Sequence, residues 1–243
     1  MPKIVADRIG RTYKTGTGVE VRALDGVSLT AGDSGMTAIV GQSGSGKTTL
    51  LQCLSGLDVP DEGSISLLGT DLQQSSEAEI SCLYREQIGF VFQQYNLVES
   101  LNALDNVLLP QRLSKSSIDR RAAIRWFGRL GLAGKESHLP AQLSGGEQQR
   151  VALIRALIKK PAIVFADEPT GALDSENGRV VLDILQEQAR NGVSVLMVTH
   201  DVAAASRANR VVVLRDGHLV EDLAHPKPDD ILAALQSTKN GVS

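Results

Sequence analysis

The chain has 243 residues, with 25 Lys+Arg against 28 Asp+Glu, a formal charge of −3. That length suits one globular domain with appendages, and the mild acidic balance argues against general affinity for nucleic acid. Hydrophobic residues make up 42% of the chain but aromatics only 3%, so its core must be aliphatic. No apolar run approaches the ~20 residues needed to cross a bilayer, and Met1-Pro2-Lys3-Ile4 does not open a signal peptide. Cys53 and Cys82 show no metal spacing, and Cys53 reads as a small helical hydrophobe in a reduced compartment.

In chain order, Glu20 to Leu24 and Val27 to Thr30 alternate as half-buried antiparallel strands. Met36 to Val40, Ile88 to Phe92, Ile163 to Ala166, Val193 to Val198 and Arg210 to Leu214 are short apolar runs, Val193 to Val198 interrupted by Ser194. Runs of this kind between helical patterns predict a parallel sheet covered on both faces. Residues 95–160 carry almost only helical periodicity, with Ile118, Ala122, Phe127 and Leu130 on one stripe and Gly131 as a stop. The basic stretch from Arg112 to Arg129 is interrupted by Asp119 and apolar residues, as on a solvated helix face. The organisation expected is a nucleotide-binding core over 1–225, a helical insertion over 95–160 and a loosely held polar tail over 226–243.

Three runs carry chemistry. Gly41-Gln42-Ser43-Gly44-Ser45-Gly46-Lys47-Thr48 fits G-x-x-x-x-G-K-[ST], after a predicted strand and before a helix from Thr48 to Leu54 that Gly56 stops. Its glycines let backbone N–H groups wrap phosphates, and the helix N-terminus adds roughly half a positive charge. Lys47 should reach the β- and γ-phosphates and Thr48 should place its hydroxyl on Mg²⁺. Ile163 to Ala166 ends in Asp167, suited to Mg²⁺, and Glu168, suited to polarising an attacking water. Leu143-Ser144-Gly145-Gly146-Glu147-Gln148-Gln149-Arg150 opens a second helix whose free N–H groups and Ser144 hydroxyl also suit a γ-phosphate.

This ordered trio resembles the ATP-binding-cassette (ABC) ATPases over about residues 3–222. The resemblance implies an α/β P-loop NTPase fold with a RecA-like parallel core sheet, an antiparallel β edge and an inserted α-helical subdomain. It implies that Gln93 contacts Mg²⁺ and the lytic water, that His200 contacts the γ-phosphate and that Tyr13 stacks on adenine. Thr49, Gly145, Gln148 and Asp174 join the nucleotide-binding set in the same way, Asp174 from the interface-crossing loop Gly171-Ala172-Leu173-Asp174. Two copies would pair head to tail, so that Ser144 and Gly146 of one close the site of the other. The implied enzyme is an Mg²⁺-dependent ATPase at the cytoplasmic face of the membrane, bound there through integral permease subunits. Residues Gln93 to Val107 would line the groove that accepts a short permease helix.

The run Asp167 to Ser175, with Glu147, looks like the macrolide-export and lipoprotein-release branch, whose cargoes include heme, macrolides and other drugs, antimicrobial peptides and lipoproteins. Val98-Glu99-Ser100 and Ile154 depart from that pattern. An amino-acid or peptide importer ATPase and a soluble ABC ATPase without a transporter are the alternatives. A P-loop GTPase is excluded, because no N-K-x-D guanine-reading run occurs.

Overall fold

A computed structural model describes residues 2–14, 16, 18–32, 35–114, 117–171 and 173–236. In chain order the elements are β1 (Ile4–Lys14), β2 (Glu20–Ala31), β3 (Met36–Val40), α1 (Lys47–Ser55), β4 (Glu62–Leu67), β5 (Thr70–Asp71) and α2 (Glu77–Glu86). There follow β6 (Ile88–Val91), α3 (Ala103–Leu113), α4 (Arg120–Arg129), α5 (Gly145–Leu157), β7 (Ile163–Asp167) and α6 (Ser175–Arg190). The chain closes with β8 (Ser194–Val198), α7 (Val202–Ala205), β9 (Arg210–Arg215), β10 (His218–Ala224) and α8 (Pro228–Gln236). Two compact units result, one from residues 1–75 with 194–243, the other from 76–193.

The first unit holds two sheets. In one, the strand order is β2-β1-β4-β5, antiparallel throughout. The two short strands expected between Glu20 and Thr30 are one long strand, β2. It pairs with β1, a strand the mixed composition of Ile4 to Lys14 did not reveal. In the other, β3 lies parallel to both β8 and β9, and β10 returns antiparallel to β9. Every residue of β3 and β8 is buried, which is why these strands read as largely apolar runs without alternation.

The polar tail is not loose where it is described. Residues 228–236 form α8, with Ile231 fully buried and Ala234 nearly so. Asp229 and Asp230 sit in the first turn, where acids complement the helix dipole. At the other end, Arg215 of β9 donates to the carbonyls of Ala234 and Leu235 at 3.3 and 3.4 Å. The rest of the tail, 237–243, lies outside the described residues.

In the second unit β6 and β7 are parallel, and α3 packs on α4 and α5. The buried stripe of α4 is Ala123, Phe127 and Leu130 rather than the one expected, and Ile118 is exposed ahead of the helix. Asp119 takes the N-cap and accepts from the Ala122 N–H, so the helix begins at Arg120, two residues after the start of the expected stripe. Gly131 follows the helix with φ +67°, as a stop should. Ile154, one of the two departures from the branch pattern, is fully buried on α5. The fold is the α/β P-loop NTPase fold, with an antiparallel β portion and an inserted helical portion.

Candidate functional site

The phosphate loop grows out of β3, whose apolar side chains anchor it in the first unit. Gly46 caps α1 with φ +98°, and a Cβ there would lie 2.3 Å from the Ala23 carbonyl oxygen. A Cβ on Gly41 would lie 2.2 Å from that of Leu214. Both positions therefore admit only glycine. Gln42, Ser43 and Gly44 are exposed between them, and Thr48 is exposed on the first turn of α1. Lys47 is largely buried and donates to the Gly41 and Gln42 carbonyls at 3.0 and 2.8 Å, which draws its ammonium back across the loop. The Ser45 hydroxyl is buried and has no hydrogen-bond partner among the described residues.

Two further residues belong to this unit. In the parallel register Ile39 faces Val198, so His200, just past β8, leaves the sheet at the edge where β3 enters the loop. Its neighbour Thr199 is buried and ties its N–H to Ile39 at 3.1 Å. Tyr13, near the end of β1, donates its hydroxyl to Asp58 at 2.6 Å and is also hydrogen-bonded by Thr49. Thr49 thus contacts the proposed base-stacking residue within the free chain.

The second unit carries the acidic half. Val91 pairs with Ala166, so Gln93 and Asp167 leave β6 and β7 at one carboxyl edge. Glu168 sits at φ +46°, a left-handed conformation costing on the order of 1–3 kcal/mol for a residue with a side chain. The Gly171 N–H donates to the Glu168 carbonyl at 3.0 Å. A Cβ on Gly171 would lie 3.5 Å from that of Glu168 and 3.7 Å from Gln93 Nε2, so the Gln93 amide and the base of the Glu168 side chain flank this glycine. Gln149 of α5, almost fully buried, donates to the Pro169 carbonyl at 2.9 Å and steadies the turn after Glu168.

The start of α5 is a full capping box. The Ser144 hydroxyl accepts from the Glu147 N–H at 3.3 Å, and the Glu147 carboxylate accepts from the Ser144 N–H at 2.8 Å. Lys135 pairs with Glu147 at 3.2 Å. The hydroxyl proton of exposed Ser144 remains to donate elsewhere. Gln148 turns back to the Leu143 carbonyl at 3.1 Å. Asp174 caps α6 and accepts from the Asn177 N–H at 2.9 Å and its Nδ2 at 2.6 Å. Arg150 in turn donates to Asn177, whose Nδ2 would lie 3.2 Å from a Cβ on Gly146. Asp174, Gly146 and Arg150 therefore surround one asparagine that the sequence did not single out. Ala172 of the same loop lies outside the described residues.

A second strap was also missed. Arg155 of α5 donates to the carbonyls of Tyr95 and Asn96 at 2.8 and 2.5 Å. A Cβ on Gly145 would lie 2.9 Å from the Tyr95 hydroxyl. The loop after Gln93 is thus tied to α5 by Arg155 and lies against the start of that helix at Gly145. Backbone acceptors leave no mark in a sequence, which is why Arg155 is not singled out there.

Of the residues expected to hold Mg²⁺, Thr48 offers a hydroxyl in the first unit, and Gln93 and Asp167 offer an amide and a carboxylate in the second, each a hard oxygen of the kind Mg²⁺ takes. Among the described residues no cluster of three or more His, Cys, Asp or Glu could hold a metal by itself. An ion held by so few protein oxygens takes its remaining ligands from phosphate and water.

The description "ABC transporter" matches residues 24–171. The chain belongs to the ABC transporter family. It is 45% identical over 215 residues to "Macrolide export ATP-binding/permease protein MacB" of Chlorobaculum tepidum, covering 88% of this chain and 33% of that one. It is 46% identical over 217 residues to the MacB of Escherichia coli, again 88% and 33%. The chain thus spans about a third of the length of the curated relatives it matches. Among solved structures, the dimeric post-hydrolysis state of the ATP-binding cassette MJ0796 bound to ADP and Pi matches with a TM-score of 0.85 at 35% identity. That match covers 92% of this chain and 99% of the MJ0796 chain. As an ABC cassette of this branch, the chain is an ATPase.

Proposed function

We propose that this ABC ATPase hydrolyses Mg·ATP between two copies of itself and so drives a separate membrane subunit in an exporter. The observation that carries the reading is that one chain presents two anion cradles at helix N-termini, Gly46–Thr48 on α1 and Ser144–Gly146 on α5. One triphosphate needs only one of them from each side, and head-to-tail pairing uses both.

In this reading Lys47 and the loop amides take the β- and γ-phosphates. Thr48, Gln93 and Asp167 would hold Mg²⁺, which supplies charge neutralisation between the phosphates. Glu168 accepts a proton from the lytic water, and its left-handed backbone and the Gln149 bond to Pro169 fix its direction. His200 supports the γ-phosphate, and Tyr13 stacks on the base. Ser144 and Gly146 close the partner's site, with Asp174 beside them.

The relatives' description as ATP-binding/permease proteins supports a membrane partner. No described helix is long and apolar enough to cross a membrane. Attachment at the cytoplasmic face through a permease belongs to the same proposal. Near Gln93, a cleft of about 320 Å³ is walled by Tyr84, Phe90, Phe92 and Pro110 and edged by Arg155 and Lys159. Among the described residues neither cation has a carboxylate partner, and burial pushes the Lys159 ammonium down to about 8. Such a cleft complements a short apolar helix that carries an acid. Movement of the Gln93 loop would pass through the Arg155 strap to α5 and to this cleft.

Val98, 39% exposed, lies on the same segment. Val98→Asp should abolish transport in vesicles holding the co-purified membrane subunit, while basal ATP hydrolysis stays within about twofold. Normal transport by that variant would move the coupling surface elsewhere. The membrane subunit chooses the cargo, and macrolides are the first class to assay, given the relatives' name.

A further inference from the structure

The end of β1 and the turn after α1 share a network that the ATPase reading leaves unused. Asp58 follows the phosphate-loop helix, with its N–H on the Gln52 carbonyl at 3.2 Å. Arg11, two residues before Tyr13, forks onto it through Nε at 3.0 Å and Nη2 at 2.7 Å. The third guanidinium nitrogen reaches Asp61 at 2.7 Å, and Asp61 also accepts the Thr12 N–H at 2.7 Å. Tyr13 donates to the same Asp58 carboxylate at 2.6 Å. The Arg11 guanidinium carbon stands over the Tyr13 ring, 5.0 Å from its centroid.

Each bond in this set restricts one freedom of the Tyr13 ring. The hydroxyl bond to Asp58 fixes where the ring's far end points. The guanidinium on one face leaves a base at most the other face to stack on. The Asp58 carboxylate is held by a bidentate fork, the geometry that adds direction as well as strength. Because Asp58 rides on the C-terminal side of α1 and the phosphate cradle forms its N-terminal side, the ring is indexed to the phosphates through one helix.

We propose that Asp58 and Arg11 are positioning residues for the nucleobase. Asp58 aims the Tyr13 ring through its hydroxyl, and Arg11 holds that carboxylate and closes one ring face, so that base and triphosphate are gripped by one frame. This rests on the reading of Tyr13 as the base-stacking residue. An alternative role, in which the network only fastens β1 to α1, predicts different kinetics.

The test compares ATP with inorganic tripolyphosphate, which shares the phosphates and lacks the base. Asp58→Asn and Tyr13→Phe should each raise the KM for ATP by about 3- to 10-fold, with the loss in KM rather than kcat. The Ki of magnesium tripolyphosphate as a competitor should stay within about twofold of wild type. The double variant should be no worse than about the worse single one, because both remove one interaction. Arg11→Lys, which keeps the charge but loses the fork, should fall between wild type and Asp58→Asn. Tyr13→Phe removes one oxygen and leaves the fold intact, so the test survives if Asp58→Asn misfolds. A parallel rise in the tripolyphosphate Ki would overturn the proposal and make the network a brace for the phosphate loop. If Tyr13→Ala raises KM but Tyr13→Phe and Asp58→Asn do not, the ring is the platform and this frame is not its support. If Tyr13→Ala leaves KM unchanged, the base-stacking reading itself fails.

Discussion

At the scale of single residues, the two halves of the chemistry rest on different kinds of constraint. Lys47 is held across the phosphate loop by the Gly41 and Gln42 carbonyls. Lys47→Ala should therefore lose ATP binding itself, as fluorescent-nucleotide titration would show. Glu168 is held by backbone strain and by the turn that Gln149 pins. Glu168→Gln keeps the shape and removes the base. It should retain ATP binding and lower turnover by on the order of 10²-fold or more. Turnover near wild type in that variant would remove Glu168 from the proton-transfer role. Cys53, by contrast, is fully buried, and that burial pushes its thiol up to about 12.

At the scale of elements, caps and packing decide which segments hold. Glu147, a branch mark in the sequence, works as the reciprocal partner of Ser144 and as the acceptor for Lys135. The Ser144 N–H, then Lys135, holds its carboxyl below the usual carboxylate range. A depressed folded value means that the stabilisation is fully present above the unfolded value of about 4.3 and is lost as pH falls through the folded one. Asp61, held low first by the Thr12 N–H, and Asp222, held low first by the Arg210 fork, have the same sign. Glu147→Gln keeps an acceptor for Ser144 but not the charge. Its urea midpoint should lie below wild type at pH 7, and the gap should narrow below about pH 4. A gap independent of pH would mean that the charge contributes nothing. For α8, Ile231→Ala removes a fully buried side chain and should cost about 2–4 kcal/mol in equilibrium unfolding. A cost under about 0.5 kcal/mol would restore the loose tail.

At the scale of the whole molecule, ATP should act as the bond between two copies. Light scattering of Glu168→Gln with Mg·ATP should show a dimer that dissociates when nucleotide is removed. A mixed dimer separates own-chain from cross-chain roles. Lys47→Ala on one chain and Ser144→Arg on the other would disable one shared site and spare the second. Partial ATPase activity in the mixture, with both homodimers inactive, is the expected result. Equal loss in a correctly assembled mixture would argue against shared sites.

Sequence alone determined the elements whose local physics is one-dimensional. The buried strands β3, β7 and β8 announced themselves because a strand covered on both faces must be apolar at every position. The phosphate loop, the Asp167-Glu168 strand end and the Ser144 helix start were legible because their chemistry comes from consecutive residues and backbone direction. What only the tertiary structure decided depends on partners distant in the chain. β1 was illegible because its pairing with β2 and β4, broken by register shifts, spoils alternation. The Arg155 strap, the Asn177 cluster and the Arg11–Asp58–Tyr13 frame join positions 3 to 60 residues apart through side-chain hydrogen bonds. Such bonds require only that a donor and an acceptor meet in space. No periodicity or spacing records that meeting, so the fold has to be built before it can be seen.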